Sequence, residues 1–156
     1  MVLGAAFVAF LLAGWRVPGG QVAPGADVSV TVNRTGELDV APHGRLLHVR
    51  DLRPGRFAEA RFVATNTTGT TLAVRVRARA GGADLDEQLA LRVLARRAPL
   101  FSGTLGRLRV RSRRRLVLSA GASAALVVRV WLPSRARAYD ARGAGVSLEL
   151  LSEAAD

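Results

Sequence analysis

The sequence predicts an all-β fold in which antiparallel strands form a sandwich or a barrel. From Asp27 onward, apolar and polar residues alternate with a period of two, the pattern of half-buried strands. Turn-forming residues separate these runs at intervals typical of sandwiches and barrels. The chain has 156 residues, which is enough for one domain with a substantial core.

Five stretches are predicted as strands, with two weaker ones between them. The clearest is 71–79, where residues 72, 74, 76 and 78 are apolar and Arg75, Arg77 and Arg79 alternate with them. The stretch 124–132 is the most apolar, so we expect it in the middle of a sheet. In chain order the strand predictions are 27–32, 56–65 (with Ala58, Ala60, Phe62 and Ala64 on one face), 71–79, 89–94, 113–118, 124–132 and 145–151, of which 89–94 and 113–118 are the weaker.

The turns between these strands have a recognisable chemistry. Pro54 and Gly55 suit the two central positions of a turn in which the second residue has a positive φ. The segments 66–69 and 119–121, which end at Gly69 and Gly121, are expected to form turns of the same kind. The side chain of Asn66 is expected to hydrogen-bond its own turn backbone, and Pro133 is a further structural turn position.

Two short helical turns are expected to interrupt the strands. Asp84 and Glu87 form a capping box ahead of Leu89. Ser102 is placed to cap a second helical turn over residues 103–108.

Several classes of active site are excluded by composition and motif. The chain has no cysteine, hence no disulfide framework, cysteine nucleophile or thiolate metal site. His43 and His48 stand outside any HExxH motif and would point to opposite faces of a strand. No serine elbow or phosphate-binding glycine motif follows a predicted strand. The sequence therefore predicts no catalytic residue, no metal site and no cofactor.

The N-terminal residues form a separate unit. Residues 1–15 carry no charge, a run that is short for a membrane span and suited to the apolar core of a signal peptide. No arginine precedes this run, although a signal peptide usually begins with a basic region. We predict that residues 1–23 are a signal peptide or an N-terminal membrane anchor, and that residues 27–152 form the sandwich domain.

The order of the turn motifs is similar to that of a known family. The motifs are Asp51-Leu52-Arg53-Pro54-Gly55, Thr65-Asn66-Thr67-Thr68-Gly69, Leu100-Phe101-Ser102-Gly103-Thr104-Leu105, Leu118-Ser119-Ala120-Gly121, Val130-Trp131-Leu132-Pro133 and Ala138-Tyr139-Asp140-Ala141-Arg142-Gly143. Over residues 27–151 this order resembles the TasA/camelysin family of secreted bacterial proteins. Arg56 stands where that family has an aspartate, and the Tyr139 motif is two residues longer.

The resemblance implies a jelly-roll β-sandwich, a signal segment of the SipW-dependent type and a role in biofilm-matrix fibres. Some family members are classed as metallopeptidases, so the resemblance leaves a metallopeptidase of the camelysin type as a third functional alternative, although this chain holds no motif for that activity. Export would involve signal peptidase, and the mature protein would be secreted or held at the cell surface, with the apolar segment as its anchor if that segment is retained.

Arginine is unevenly distributed along the chain. The sequence has 23 basic residues, all of them arginine, and a net charge of +11. The densest run is Arg107, Arg109, Arg111, Arg113, Arg114 and Arg115. In a strand or hairpin the first three would share one face and form an anion-binding patch. The alternative is a solvated loop whose arginines reflect the composition of the coding sequence.

Two functions follow as hypotheses. The leading one is a non-enzymatic structural protein of the cell surface or extracellular matrix that associates with itself or with other matrix proteins. It would form fibres by strand complementation with residues 21–32 as donor, and a chain without this segment is expected to fold as a monomer. The alternative is a monomeric cationic module that binds anionic wall polymer, lipid or DNA through the arginine run, without specific nucleic-acid recognition.

Overall fold

The computed structural model describes residues 25–34, 36–80, 87–136 and 144–155. These residues form two five-stranded sheets packed face to face, which confirms the predicted β-sandwich. The strands are β1 (Ala26–Arg34), β2 (Leu38–Ala41), β3 (Gly44–Leu52), β4 (Phe57–Asn66), β5 (Leu72–Ala80), β6 (Ala90–Ala95), β7 (Ala98–Thr104), β8 (Leu116–Leu118), β9 (Ser123–Trp131) and β10 (Ala144–Ala154). The predicted leader at residues 1–23, Asp84 of the capping box and the motif from Tyr139 to Gly143 lie outside the described residues.

The strand order is that of a jelly roll with two additions. Sheet A has the order β3-β1-β10-β5-β8 and sheet B the order β2-β4-β9-β6-β7. When β1 and β2 are set aside, the remaining eight strands give β3-β10-β5-β8 against β4-β9-β6-β7. That arrangement of eight strands in two sheets is the jelly-roll architecture.

Strand β1 is an insertion between the first and last strands of this jelly roll. It runs parallel to β10 and antiparallel to β3, whereas the other ladders between described strands are antiparallel. Its side chains Val28, Val30 and Val32 are at most 1% exposed. The expectation that the domain folds without residues 21–32 conflicts with this position, because removing β1 would uncover the core and separate β3 from β10.

Strand β5 shows why alternation predicted the fold well. Leu72, Val74, Val76 and Ala78 are buried in the core, as predicted. On the opposite face, Arg77 and Arg79 place nitrogen atoms 2.6 and 2.7 Å from the Glu149 carboxylate of β10. Opposite charges on neighbouring strands stabilise a sheet by roughly 0.2–1 kcal/mol per pair, so the outer face of sheet A also contributes to pairing.

The remaining strand predictions differ in accuracy. Strand β9 is central in sheet B, as expected, and β4, β6 and β10 fall where the sequence placed them. Strands β2, β3 and β7 were not predicted, and only residues 116–118 of the stretch 113–118 form a strand.

The structure has a second helical turn close to where the sequence placed it. It is a 3₁₀ helix over Leu105–Leu108, its N-cap is Thr104, and no side chain caps it by hydrogen bonding. Ser102 is therefore not its cap: β7 continues through that residue to Thr104. Leu105 and Leu108 are buried, and their burial holds this turn in place. The first predicted helical turn lies partly outside the described residues. In its described part, Glu87 and Gln88 are helical.

The two-residue connection between β6 and β7 has an unfavourable sequence for its geometry. Ala95 pairs with Ala98, and the intervening Arg96 and Arg97 have φ values of 48° and 70°. Positive φ at both positions defines a type I′ turn, which prefers Asn-Gly. Each arginine therefore adopts a conformation that costs roughly 1–2 kcal/mol for an ordinary L-residue.

We predict that the double substitution Arg96→Asn/Arg97→Gly raises the free energy of unfolding by about 1 kcal/mol, because the relief at the two positive-φ positions is partly offset by the larger conformational entropy that glycine loses on folding. Urea denaturation followed by circular dichroism measures this change. The control is Arg96→Gln/Arg97→Gln, which removes the same charges without favouring positive φ. Equal stabilisation by both variants would show that charge, rather than backbone conformation, is responsible.

Candidate functional site

The arginine run does not form the strand or hairpin that would align Arg107, Arg109 and Arg111 on one face. Arg107 belongs to the 3₁₀ helix, and residues 109–115 form an irregular connection to β8. That expectation is wrong because alternating arginines do not by themselves supply an apolar face. The buried Leu105 and Leu108 instead set the path of the chain.

Ser112 fixes the middle of this connection. It is 1% exposed, and its backbone N–H donates to the carbonyl of Val76 at 2.6 Å. Its hydroxyl accepts the N–H of Val76 at 3.0 Å and donates to the carbonyl of Arg114 at 2.8 Å. One small polar residue therefore extends the pairing edge of β5 and holds the neighbouring arginines at fixed positions.

Arg75 on β5 provides a second clamp. Its Nη1 donates to the carbonyls of Ser112 and Arg113 at 3.2 and 2.7 Å. Its Nε donates to Glu153 of β10 at 3.2 Å. A guanidinium group that bridges two strands and a loop in this way restricts the conformations of the arginine-rich connection.

An open cleft lies between this connection and β7, and we call it the arginine cleft. Its volume is about 1030 Å³, and no carboxylate lines it in the described structure. Arg114 donates from Nη1 to the carbonyl of Pro99 at 3.3 Å and so links the two walls. The lining residues are Arg75, Pro99, Leu100, Phe101, Ser102, Arg107, Val110, Arg111, Ser112, Arg113 and Arg114.

Four of the six arginines of the run enter this cleft, namely Arg107, Arg111, Arg113 and Arg114, whereas Arg109 and Arg115 do not. Arg111 lies 3.8 Å from Glu153. Within the described ranges, no carboxylate forms an ion pair with Arg107 or Arg113. Unpaired guanidinium groups that surround one space attract multivalent anions.

The motif from Asp51 to Gly55 forms a corner that fixes the start of β1. Asp51 has a φ of 57°, and its carboxylate accepts the N–H of Gly25 at 2.9 Å and Nε of Arg53 at 2.7 Å. A Cβ at Gly25 would lie 2.2 Å from that carboxylate, so only glycine permits this approach. The hydrogen bond from Arg53 is the largest influence on the pKa of Asp51, and it lowers this pKa below its ordinary value of 3.8.

Pro54 and Gly55 complete the same corner. Arg56 donates its N–H to the carbonyl of Arg53 at 3.0 Å, and Gly55 has a φ of 79°, the geometry of a turn with proline and glycine at its centre. The N–H of Gly55 also donates to the carbonyl of Leu132 at 2.7 Å. The corner therefore joins β1, β3 and the end of β9.

Asn66 has a wider role than its own turn. Its side chain is fully buried, and its Oδ1 accepts the N–H of Thr68 at 2.9 Å. Its Nδ2 donates to the carbonyls of Thr70, Leu118 and Ser119 at 2.7, 3.0 and 3.1 Å. One amide therefore shapes the β4–β5 connection and attaches the end of β8 to it.

The other turn positions differ from one another. Gly121 has a φ of 70° in a turn that is closed by the N–H of Ala122 and the carbonyl of Ser119 at 3.0 Å. Gly69 has no positive φ, so the side chain of Asn66 rather than a left-handed glycine shapes that turn. Pro133 begins a turn that the N–H of Ala136 closes at 2.8 Å.

The two histidines do not meet. His43 and His48 are both exposed, one between β2 and β3 and the other within β3. Within the described ranges, no group of three or more histidine or carboxylate side chains could hold a metal ion. None of the helices in those ranges has the length and apolarity that crossing a bilayer requires.

Comparison of the chain with protein-family models and with curated proteins finds no match.

We predict that the corner at Asp51 is sensitive to acid. A carboxylate whose folded-state pKa is lowered stabilises the fold above its unfolded pKa, and this contribution is lost as the pH falls through the folded-state value. The wild type should therefore lose stability below about pH 4 more steeply than Asp51→Asn. Urea denaturation at a series of pH values measures this difference, and Arg53→Gln should show an intermediate profile. Identical pH profiles for wild type and Asp51→Asn would contradict the prediction.

Proposed function

We propose that the protein is a non-enzymatic structural protein of the cell surface or extracellular matrix, and that its subunits assemble by exchanging β1. The observation that carries this proposal is the position of β1 in a slot between β3 and β10, parallel to β10. A strand from a neighbouring subunit in the same slot would make the same ladder hydrogen bonds and bury the same three valines. Exchange of identical elements therefore costs little free energy.

The connection after β1 favours such an exchange. Only residues 35–37 separate β1 from β2, which belongs to the other sheet. A connection this short favours exchange of β1 between subunits, because short hinge loops promote domain swapping. The proposed donor is β1 together with the residues that precede it.

Export and surface location rest on the sequence. The uncharged residues 1–15 support a signal peptide that signal peptidase removes, or an anchor that is retained. The non-enzymatic character rests on the lack of any catalytic or cofactor motif in the sequence. The resemblance to the TasA/camelysin family supports the same function, with other copies of the chain or other matrix proteins as partners.

Strand exchange can be tested with cysteines, since the natural chain has none. Ser29 of β1 and His48 of β3 are directly paired, and paired strand residues lie within the Cα separation that a disulfide requires. In assembled Ser29→Cys/His48→Cys protein, exchange places the two cysteines on different subunits. Oxidation should then give a covalent ladder on a non-reducing gel, and oxidation of the monomer before assembly should block assembly.

The matched control is Thr65→Cys/Ser123→Cys, which joins β4 to β9 without β1. The two hydroxyl oxygens that it replaces are 2.8 Å apart, so its disulfide should remain within one subunit in every state. Assembly of the first variant with only intramolecular disulfides would refute the exchange, as would a chain that remains monomeric under all conditions.

The arginine cleft supports a second candidate function, a cationic module that holds an anionic polymer. Five guanidinium groups line one space without a carboxylate among the described lining residues. Such a site binds wall polymer, lipid headgroups or DNA by charge and without reading a sequence. This function requires no assembly and would operate in the monomer.

We predict that Arg111→Ser/Arg113→Ser/Arg114→Ser weakens binding to a duplex DNA probe of arbitrary sequence. Each lost phosphate contact should reduce the slope of log K against log salt concentration by about 0.9. The control is Arg45→Ser/Arg50→Ser/Arg115→Ser, which removes the same charge from exposed positions outside the cleft. Fluorescence anisotropy at several salt concentrations measures both quantities. Equal losses in the two variants would assign the binding to net charge and not to the cleft.

A further inference from the structure

The outer face of sheet B presents two aromatic side chains in one row. Phe57 on β4 is directly opposite Trp131 on β9. Phe57 is 61% exposed, because it lies on the face of β4 opposite to the buried Phe62 and Ala64. Together with Trp131, its ring gives the outer face an apolar surface on which a ligand can pack.

The next row along the same face is polar and ordered. Arg129 of β9 donates from Nε and Nη2 to Oε2 of Glu59 at 3.1 and 2.8 Å. Arg92 of β6 donates from Nε to the hydroxyl of Ser102 at 3.3 Å. These side chains are therefore held by cross-strand hydrogen bonds on the outer face of the sheet.

The two rows are in contact with each other. The guanidinium carbon of Arg129 lies 4.6 Å from the centre of the Phe57 ring, and that of Arg92 lies 5.8 Å from the centre of the Trp131 ring. Cation–π contact at these distances is attractive and holds each guanidinium group over its ring. We call the five side chains Phe57, Glu59, Arg92, Arg129 and Trp131 the aromatic face.

One feature of the aromatic face is unfavourable without a ligand. Arg92 and Arg129 are directly paired across β6 and β9, and like charges at directly opposite positions destabilise a sheet. Glu59 forms an ion pair with Arg129 but not with Arg92. Arg61, 3.8 Å from Glu59, adds a third positive charge. An external carboxylate beside Arg92, which has no carboxylate partner among the described residues, would compensate this charge.

The geometry points to a binding site for an acidic polysaccharide, a chain of pyranose rings that carry carboxylate groups. The C–H groups on one side of a pyranose ring pack against an exposed aromatic ring. The adjacent hydroxyls accept hydrogen bonds from the guanidinium groups and donate to Glu59, while the sugar carboxylate pairs with Arg92. An extended polymer fits a row of side chains that runs along the face of a sheet.

The carboxylate of Glu59 adds a hydrogen-bond acceptor that suits a ligand rich in hydroxyl groups. Its Oε2 accepts the hydrogen bonds from Arg129, and its Oε1 lies 3.8 Å from Arg61, beyond hydrogen-bond distance, so Oε1 can accept a further hydrogen bond. The hydroxyls on each ring of a polysaccharide can donate to it, whereas the phosphates of a nucleic acid and the polysaccharide's own carboxylates have no proton to donate at neutral pH. None of the five side chains lines the arginine cleft or belongs to β1, so this site is independent of both proposed functions.

The test uses Trp131 as the reporter. The chain has two tryptophans, and substitution Trp15→Phe leaves Trp131 as the single one. Titration with polygalacturonate should change the fluorescence of Trp131 saturably, and Phe57→Ala should weaken the affinity by about tenfold or more. Val117→Ser, which alters an exposed apolar residue of sheet A, should leave the affinity unchanged.

Two further probes separate the polysaccharide from other polyanions. Polyglutamate carries carboxylates without sugar rings, and a single-stranded DNA oligonucleotide carries stacking bases with phosphates; both should bind at least about tenfold more weakly than polygalacturonate. Equal binding of polyglutamate or preferential binding of DNA would overturn the assignment. An unchanged affinity in Phe57→Ala would also overturn it. If Phe57→Ala changed self-association alone, the occupant of the aromatic face would be a second copy of the chain, and the assignment would again be wrong.

Discussion

The parallel pairing of β1 with β10 is the constraint on which sheet A depends. A jelly roll places its first and last strands side by side, and here β1 separates them and pairs with both. The core then requires Val28, Val30 and Val32 from β1 to fill the space between β3 and β10. The corner at Asp51, where the carboxylate receives the N–H of Gly25, fixes where this strand begins.

Charge is organised differently on the sheets and in the arginine-rich connection. On the sheets, arginines face glutamates across strands, as Arg77 and Arg79 face Glu149. In the connection between the 3₁₀ helix and β8, Ser112 and Arg75 fix the backbone, and the sequence supplies no acidic residue. Five of the 23 arginines therefore line one cleft, and no carboxylate is among its described lining residues.

The sequence predicted those parts of the fold in which burial alternates strictly. Strand β9 follows this rule along its length, and β5 follows it except at Ala73, which is buried between the buried Leu72 and Val74. In β3, the adjacent Leu46 and Leu47 are both half-buried and the pairing with β1 is irregular, so a period of two is not visible. Strand β7 contains Pro99 and Gly103, which favour turns in a sequence-based prediction and are tolerated at the edge of a sheet.

The candidate sites depended on contacts that no local pattern contains. The arginine run was recognised, but its cleft exists because Ser112 pairs with Val76 on a distant strand. The aromatic face was not predicted, since Phe57 and Trp131 are far apart in the chain and meet only through the register of β4 and β9. The alternation of β4 and β9 contained the signal that both rings point outward, but not which strands are neighbours.

The cross-strand ion pairs have a consequence for the exchange of arginine and lysine. Their cations, such as Arg77, Arg79 and Arg129, are all guanidinium groups, and the chain contains no lysine. Arg77 and Arg129 each donate from two nitrogen atoms to one carboxylate oxygen, which the single ammonium nitrogen of lysine does not do. Replacing these arginines with lysine would therefore keep the charge of the sandwich and lose the fixed orientation of the side chains that connect neighbouring strands.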